Sequence, residues 1–337
     1  MKLGLALPHY DTSLAGAPAS FEGVTRVAQR AEASGFDSVW VSDHLFLDWG
    51  KYGGSEEPQA ALECFTTMSA LSAVTERVRI GSLALCNDLR SPALVAKMAA
   101  SLDCLSGGRV ALALGAGWYE PEYRAADIDF DPPGTRIRRL GEAVDIIRRL
   151  LDGEELTFEG RYYTLNGALC RPRPVQQPRP PVLVGGKGDL LLDVAARVAD
   201  GWNYSWIGSL ESYRERARRA DEACAAVGRD PATLSRSAGV YVLAGRDDRD
   251  LARRFERLLE RTPAGVLAAP KGGGGVSLGE FRRSHVAGTV GEVVEELGRL
   301  AELGVDEIVV GLGALPFQLA DEEDIELVGT EIGPALG

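Results

Sequence analysis

The sequence predicts a (β/α)8 barrel of the α/β class. Three observations carry this. Eight strand-like apolar runs are separated, for the most part, by helical patterns. Most of those runs are continuous rather than alternating, as strands buried on both faces require. And 337 residues suit one such barrel as well as two smaller domains. The competing architecture is an open doubly wound sheet, whose GxGxxG fingerprint belongs after the first strand. It is absent there, and Gly115-Ala116-Gly117 lacks the third glycine.

The elements follow in order. Lys2–Leu7 is strand one and ends at Pro8-His9-Tyr10. Ser20 caps a helix whose apolar spacing is Phe21, Val24, Val27, Ala28 and Ala31, stopped by Gly35. Ser38–Ser42 is strand two and ends at Asp43-His44. Leu45–Ala61 is a long aromatic loop, of the kind that is usually functional or disordered. Helix two spans Leu62–Thr75 and strand three Val78–Leu85, with Gly81 marking a bulge or a close backbone approach. Pro92 opens helix three, which Gly107-Gly108 ends, and Arg109–Gly115 is strand four.

A second long loop, Ala116–Pro133, precedes helix four at Thr135–Leu151. Glu154–Leu165 reads as an extended surface excursion, and Cys170–Pro181 as a proline-rich connector with no room for a helix. Strand five (Val182–Val184), Gly185-Gly186-Lys187-Gly188, an amphipathic helix and strand six (Trp202–Ser205) form one complete βαβ unit. Leu210–Val227 is helix six, Gly239–Leu243 strand seven and Asp250–Arg261 helix seven. Pro263–His285, with Gly272–Gly275 and few apolar anchors, is expected to be mobile or partly disordered. Helix eight at Val290–Leu303, strand eight at Asp306–Val310 and a short helix near Asp321–Val328 complete the chain, read as a single domain over 1–337 with an insertion at about 263–288.

Composition bounds the function. Hydrophobic residues are 45% and charged residues 26%, and the formal net charge of −12 argues against nucleic acid and anionic membrane surfaces as partners. No apolar stretch is long enough to span a bilayer, and the chain starts directly on a strand, so neither a membrane span nor a signal peptide is expected. Five cysteines without CxxC spacing point to a reducing cytoplasm and no zinc site.

Barrel chemistry sits at the C-terminal ends of the strands. The glycine turn at Gly185-Gly186-Lys187-Gly188 lies between a strand and a helix. There free backbone N–H groups, the helix dipole and a lysine favour a phosphate. His44 is the sharpest single residue. It reads as a proton donor or acceptor beside a redox ring, oriented by Asp43 or another carboxylate, or more plainly as a histidine that fixes its loop. His9 reads as pocket wall. Glu120 is a candidate general acid, whereas Glu122 reads as a solvated loop carboxylate. Trp118 and Tyr119 wall a flat ring or pack the loop, and Cys86 reads as a small buried hydrophobe. Arg214, Arg216, Arg218 and Arg219 read as a solvated face balanced by acids. No metal site is expected, because the barrel pattern of two histidines one residue apart on a strand is missing.

SVWVSDH, RVRIGSLAL, PALVAKMAASLDCLSGGRVALALGAGWYEPE and PPVLVGGKG…AARVADGWN together resemble the luciferase-like flavin monooxygenase superfamily. Within it, the chain is most similar to the coenzyme-F420-dependent oxidoreductases. The similarity runs from residue 2 to about 206 and again, more weakly, over 285–310. The resemblance implies a barrel of the bacterial luciferase type, usually a homodimer, with an insertion after strand seven that covers the site. It implies a non-prolyl cis peptide and bulge near Leu83-Ala84 behind the cofactor ring. Gly115, Ala116, Gly117 and Trp118 would contact the cofactor, and Gly185, Gly186 and Ser205, with Lys187, would hold its phosphate. Where one sugar-phosphate-oxidising branch carries an acidic glutamate, this chain has Trp118, which speaks against that substrate class.

The chemistry so implied is F420-dependent hydride transfer to or from a small organic substrate, with His44 managing a proton. Two alternatives stand beside it. One is a two-component monooxygenase using reduced FMN from a separate reductase. The other is a flavin-binding protein without turnover.

Overall fold

The computed structural model describes residues 1–267 and 276–337. Eight parallel strands close into a barrel: β1 (Lys2–Ala6), β2 (Ser38–Val41), β3 (Arg79–Cys86), β4 (Val110–Gly115), β5 (Val182–Gly185), β6 (Gly201–Tyr204), β7 (Ser235–Gly245) and β8 (Glu307–Gly311). Each strand pairs with the next in sequence, and the ring shuts where Lys2 of β1 lies opposite Glu307 of β8. The outer ring is α1 (Phe21–Ala33), α2 (Cys64–Val74), α3 (Pro92–Ser106), α4 (Pro133–Leu151), α5 (Asp189–Val198), α6 (Leu210–Ala226), α7 (Asp248–Arg261) and α8 (Val290–Glu302).

Local sequence explains the boundaries. Ser20 Oγ accepts the Gly23 N–H at 3.1 Å and starts α1. Ser91 and Pro92 start α3, and Gly107 ends it at φ +68°. The apolar helix faces and the outward residues of the strands form one core between barrel and helices. Inside the barrel Trp40 fills the lumen, its indole donating to Ser38 Oγ at 2.8 Å. A Cβ on Gly81 would stand 2.3 Å from that indole ring, so the close approach expected at Gly81 is to Trp40.

Several expectations are corrected. Helix two starts at Cys64, not Leu62, because Glu63 caps it through the N–H groups of Phe65 and Thr66. The Leu45–Ala61 loop holds a two-residue hairpin, Phe46–Leu47 with Gln59–Ala60, too short to leave a period in the sequence. The second long loop contains a helix, Glu120–Ala125. The extended surface excursion at Glu154–Leu165 is present as expected, as a hairpin of Leu156–Glu159 against Thr164–Ala168. The four arginines of α6 are balanced as expected, by Glu211, Asp189, Glu215, Glu222 and Asp193.

The glycine run of the 263–288 insertion, where mobility is expected, lies outside the described residues. The segment after it is anchored. Ser277 and Glu280 form a capping box, Phe281 is buried and stacks on His285 at 3.9 Å, and Val286–Thr289 adds a parallel strand to the upper half of β7.

Candidate active site

A cleft of about 510 Å³ opens at the C-terminal ends of the strands. One end is made of backbone. β5 runs out at Gly185, and Gly186 takes φ +139°, a conformation that side chains resist. A Cβ there would also stand 2.8 Å from Leu191 Cδ1. The Gly186 N–H is spent on Asn203 O at 3.0 Å, and α5 begins three residues on, with Leu191 of its first turn lining the cleft. Lys187 donates to Trp206 O at 3.0 Å and lies 4.7 Å from the Tyr204 ring. Partial desolvation holds its ammonium below the usual lysine range, and the charge of Lys51 pushes in the same direction. Neither lysine has a carboxylate partner among the described residues. Ser205 completes this end; its Oγ is 3.9 Å from the place a Gly185 Cβ would occupy.

The floor comes next. The peptide Leu83–Ala84 is cis, and the β3–β4 register shifts between Ser82 and Leu85. That is the place the resemblance gave. A Cβ built on Gly115 or on Gly185 would meet the Ala84 methyl at 3.6 or 3.4 Å. Three adjacent strands therefore offer nothing larger than a methyl at this level. Beyond it, Gly117 at φ +72° is forced by Tyr123, whose hydroxyl would lie 1.8 Å from an added Cβ. Arg136, stacked 3.9 Å from the Phe130 ring centroid, donates to Ala116 O at 3.2 Å and Gly117 O at 3.4 Å and fixes this loop.

The other end is made of side chains. His44 Nδ1 is 2.7 Å from Glu122 Oε2. Glu122 Oε1 accepts the Leu45 and Phe46 N–H groups at 2.5 and 3.3 Å. A carboxylate holding three donors is acceptor-only, so Nδ1 carries the hydrogen of this bond, and Nε2 has no hydrogen-bond partner among the described residues. Trp118 packs edge-on to His44 with centroids 5.6 Å apart, and Lys51 lies over the Trp118 ring at 3.9 Å. Trp206, at φ +53°, stacks on Tyr241 at 4.7 Å. Phe317, at φ +57°, packs edge-on against Trp206. Both side chains line the cleft, and non-glycine residues at positive φ collect at functional sites.

Of the residues singled out from sequence, His44, Asp43, Leu83, Ala84, Gly115, Ala116, Gly117, Trp118, Gly185, Gly186, Lys187 and Ser205 all line this one cleft. Glu120 does not. It sits on the exposed side of the short helix and pairs with Arg124 at 2.6 Å. The carboxylate belongs to Glu122, which is 3% exposed rather than solvated. The i,i+4 spacing of Glu120 and Arg124 was the signal that could have separated the two.

Asp43 does not orient His44 either. Its oxygens take Arg90 at 2.7 and 2.9 Å and the Cys86 N–H at 2.9 Å, which ties β2 to β3. His9 is fully buried behind the wall rather than part of it. Cys86 does line the cleft; its thiol lies 3.3 Å from Tyr123 Oη and burial pushes it up to about 11. Tyr10, Ser42, Lys51, Trp206, Tyr241 and Phe317 also line the cleft; no local pattern in the sequence distinguishes a cleft aromatic from a core one, or a cleft serine or lysine from a surface one.

The cleft thus joins a glycine turn, a methyl-level floor and a histidine–carboxylate pair on one rim of a parallel barrel. The chain belongs to the luciferase-like monooxygenase family, whose model matches residues 1–307. It is similar to an F420-dependent hydroxymycolic acid dehydrogenase from Mycobacterium tuberculosis, 31% identical over 318 residues, 92% of this chain and 83% of that one. It is also similar to an FMNH2-dependent dimethylsulfone monooxygenase from Pseudomonas putida, 28% identical over 331 residues, 92% of this chain and 86% of that one. Among solved structures it shares its fold with an F420-dependent secondary alcohol dehydrogenase in complex with an F420-acetone adduct. There the TM-score is 0.76 at 24% identity, covering 100% of this chain and 99% of the other.

Proposed function

We propose that this chain is an F420-dependent oxidoreductase that moves hydride to or from a small organic substrate. The observation that carries the reading is the continuity of one cleft: anion cradle at Gly186, flat floor at Ala84, Gly115 and Gly185, and His44 at the far end. The donor set fits a cofactor with one phosphate on its tail. The N–H groups at the start of α5, Lys187 and Ser205 would hold that phosphate, and the glycines leave room for it. The floor accepts a flat ring. The deazaflavin supplies a hydride-accepting or hydride-donating ring carbon.

The protein's own part is positioning and proton traffic. Glu122 fixes the tautomer of His44, so that Nε2 takes the proton of a substrate hydroxyl as hydride leaves, or returns it in the reverse direction. Trp118, Trp206, Tyr241 and Phe317 exclude water from the space above the floor. The same reading takes the working form to be a cytoplasmic homodimer. Among the described residues no helix is long and apolar enough to cross a membrane.

A second reading, a monooxygenase using reduced FMN from a partner reductase, is favoured by the match to the Pseudomonas putida enzyme across 92% of the chain. Titration of the purified protein with F420 and with FMN, oxidised and reduced, separates the two. Micromolar affinity for F420 without FMN binding supports hydride transfer; the reverse result removes it.

A further inference from the structure

Behind His44 lies a buried polar chain that the proton traffic above does not use. His9, fully buried, has Nδ1 at 2.9 Å from Leu7 O and Nε2 at 3.1 Å from Ser42 Oγ. Ser42 Oγ is also hydrogen-bonded to Tyr10 Oη. Ser42 and Tyr10 line the cleft, and the Tyr10 and His44 ring centroids are 6.3 Å apart.

The direction of every bond in this chain follows from the hydrogen on His9 Nδ1 and a neutral ring. A carbonyl oxygen only accepts, so His9 Nδ1 must carry the hydrogen. Burial pushes the His9 imidazole down to about 4, so at neutral pH the ring has one hydrogen and Nε2 only accepts. Ser42 must then give its single proton to Nε2. With that proton committed, Ser42 can only accept from Tyr10, and the Tyr10 hydroxyl points its proton at Ser42. What remains on Tyr10 Oη is lone-pair capacity.

We propose that Tyr10 is a specificity residue that acts as a hydrogen-bond acceptor only, and that the substrate carries a donor, a hydroxyl or N–H, against it. His44 Nε2 is a second acceptor, so the cleft selects a small molecule with two donors: the hydroxyl that reacts and one neighbour. A bare carbonyl beside Tyr10 faces lone pairs and loses its hydrogen bond, a mismatch that costs a buried polar group its partner. Vicinal diols and amino alcohols satisfy both acceptors; an α-hydroxy ketone, with a single hydroxyl, satisfies only one of them at a time. This rests on the cleft being the substrate site proposed above.

The test uses cis-1,2-cyclohexanediol and 2-hydroxycyclohexanone as near-isosteric probes, with binding read by calorimetry on the whole protein. The wild type is expected to prefer the diol about tenfold. Tyr10→Phe removes the preference. Ser42→Ala frees the tyrosine proton, so Tyr10 can donate to a hydroxyl or a carbonyl alike and the diol preference is lost. Equal binding of both probes by the wild type, or a diol preference that survives in both variants, overturns the proposal.

A ligand-free readout stands beside these. Nitrogen NMR of labelled histidine is expected to show His9 neutral and protonated on Nδ1 between pH 6 and 8, and the Nε2-protonated tautomer overturns the assignment. Affinities for F420 and FMN are measured in the same samples. If neither cofactor binds while the diol preference holds, the functional reading falls and this one stands.

Discussion

The two ends of the cleft are built by different means. The cradle at Gly185–Lys187 is a backbone object, made by a strand that ends where a helix starts and by residues too small to intrude. The rim at His44 is a side-chain object. Its histidine comes from the end of β2, its carboxylate from a short helix 78 residues later, and its support from Tyr10 after β1. The first is encoded in a few consecutive residues. The second exists only once the barrel has closed. The proposed function divides the same way: the first end would govern whether a cofactor binds and the second what happens after it binds.

The sharpest way to break this division is His44→Ala. Turnover is expected to fall about 10³-fold with cofactor affinity unchanged, read by single-turnover absorbance of the cofactor. An unaltered rate would take His44 out of the proton path. Gly186→Val is the mirror experiment. The left-handed backbone and the Leu191 contact both oppose it, so cofactor affinity should drop about 100-fold by titration, with a fall of only a few degrees in melting temperature.

Glu122→Gln comes next. Loss of the carboxylate should slow turnover about 10- to 100-fold and move the pH–rate profile, because the His44 tautomer is no longer held. Glu120→Gln should leave both untouched, and equal effects from the two would put the carboxylate back in question.

The smallest effect is on stability. His9 falls from 6.5 to about 4 on burial, so between those values the unfolded chain binds the extra proton. Its contribution is complete above pH 6.5 and is lost as pH falls toward 4, by about 2 kcal/mol at pH 5. Urea melts of wild type and His9→Gln between pH 7 and 5 should diverge in slope, with the variant flatter.

How far each end could be read follows from this construction. The eight strands were legible because parallel barrel strands are apolar throughout, as Val182–Val184 and Val110–Leu114 show. The cradle was legible because glycines between a strand and a helix have few other uses. The rim was half legible. His44 follows a strand directly, and its place was fixed by the barrel alone. Glu122 was misread because its burial depends on a helix, Glu120–Ala125, that is too short to show a period and that turns one glutamate outward to Arg124 and the other inward. Asp43 was misread because Arg90, its partner, lies 47 residues away on the far side of β3. Tyr10 and Ser42 carry no local signature; only their meeting at His9 gives them a direction.

The level surface formed by Ala84, Gly115 and Gly185 carries a further implication. An added methyl at Gly115 or Gly185 meets ordinary van der Waals distances, 3.6 and 3.4 Å from Ala84, and neither position has the left-handed backbone that would resist it. If this surface carries the ring of the proposed cofactor, a methyl added from either strand raises the floor by one carbon atom, a built-in shim by which ring depth could be tuned from beneath rather than from the rim.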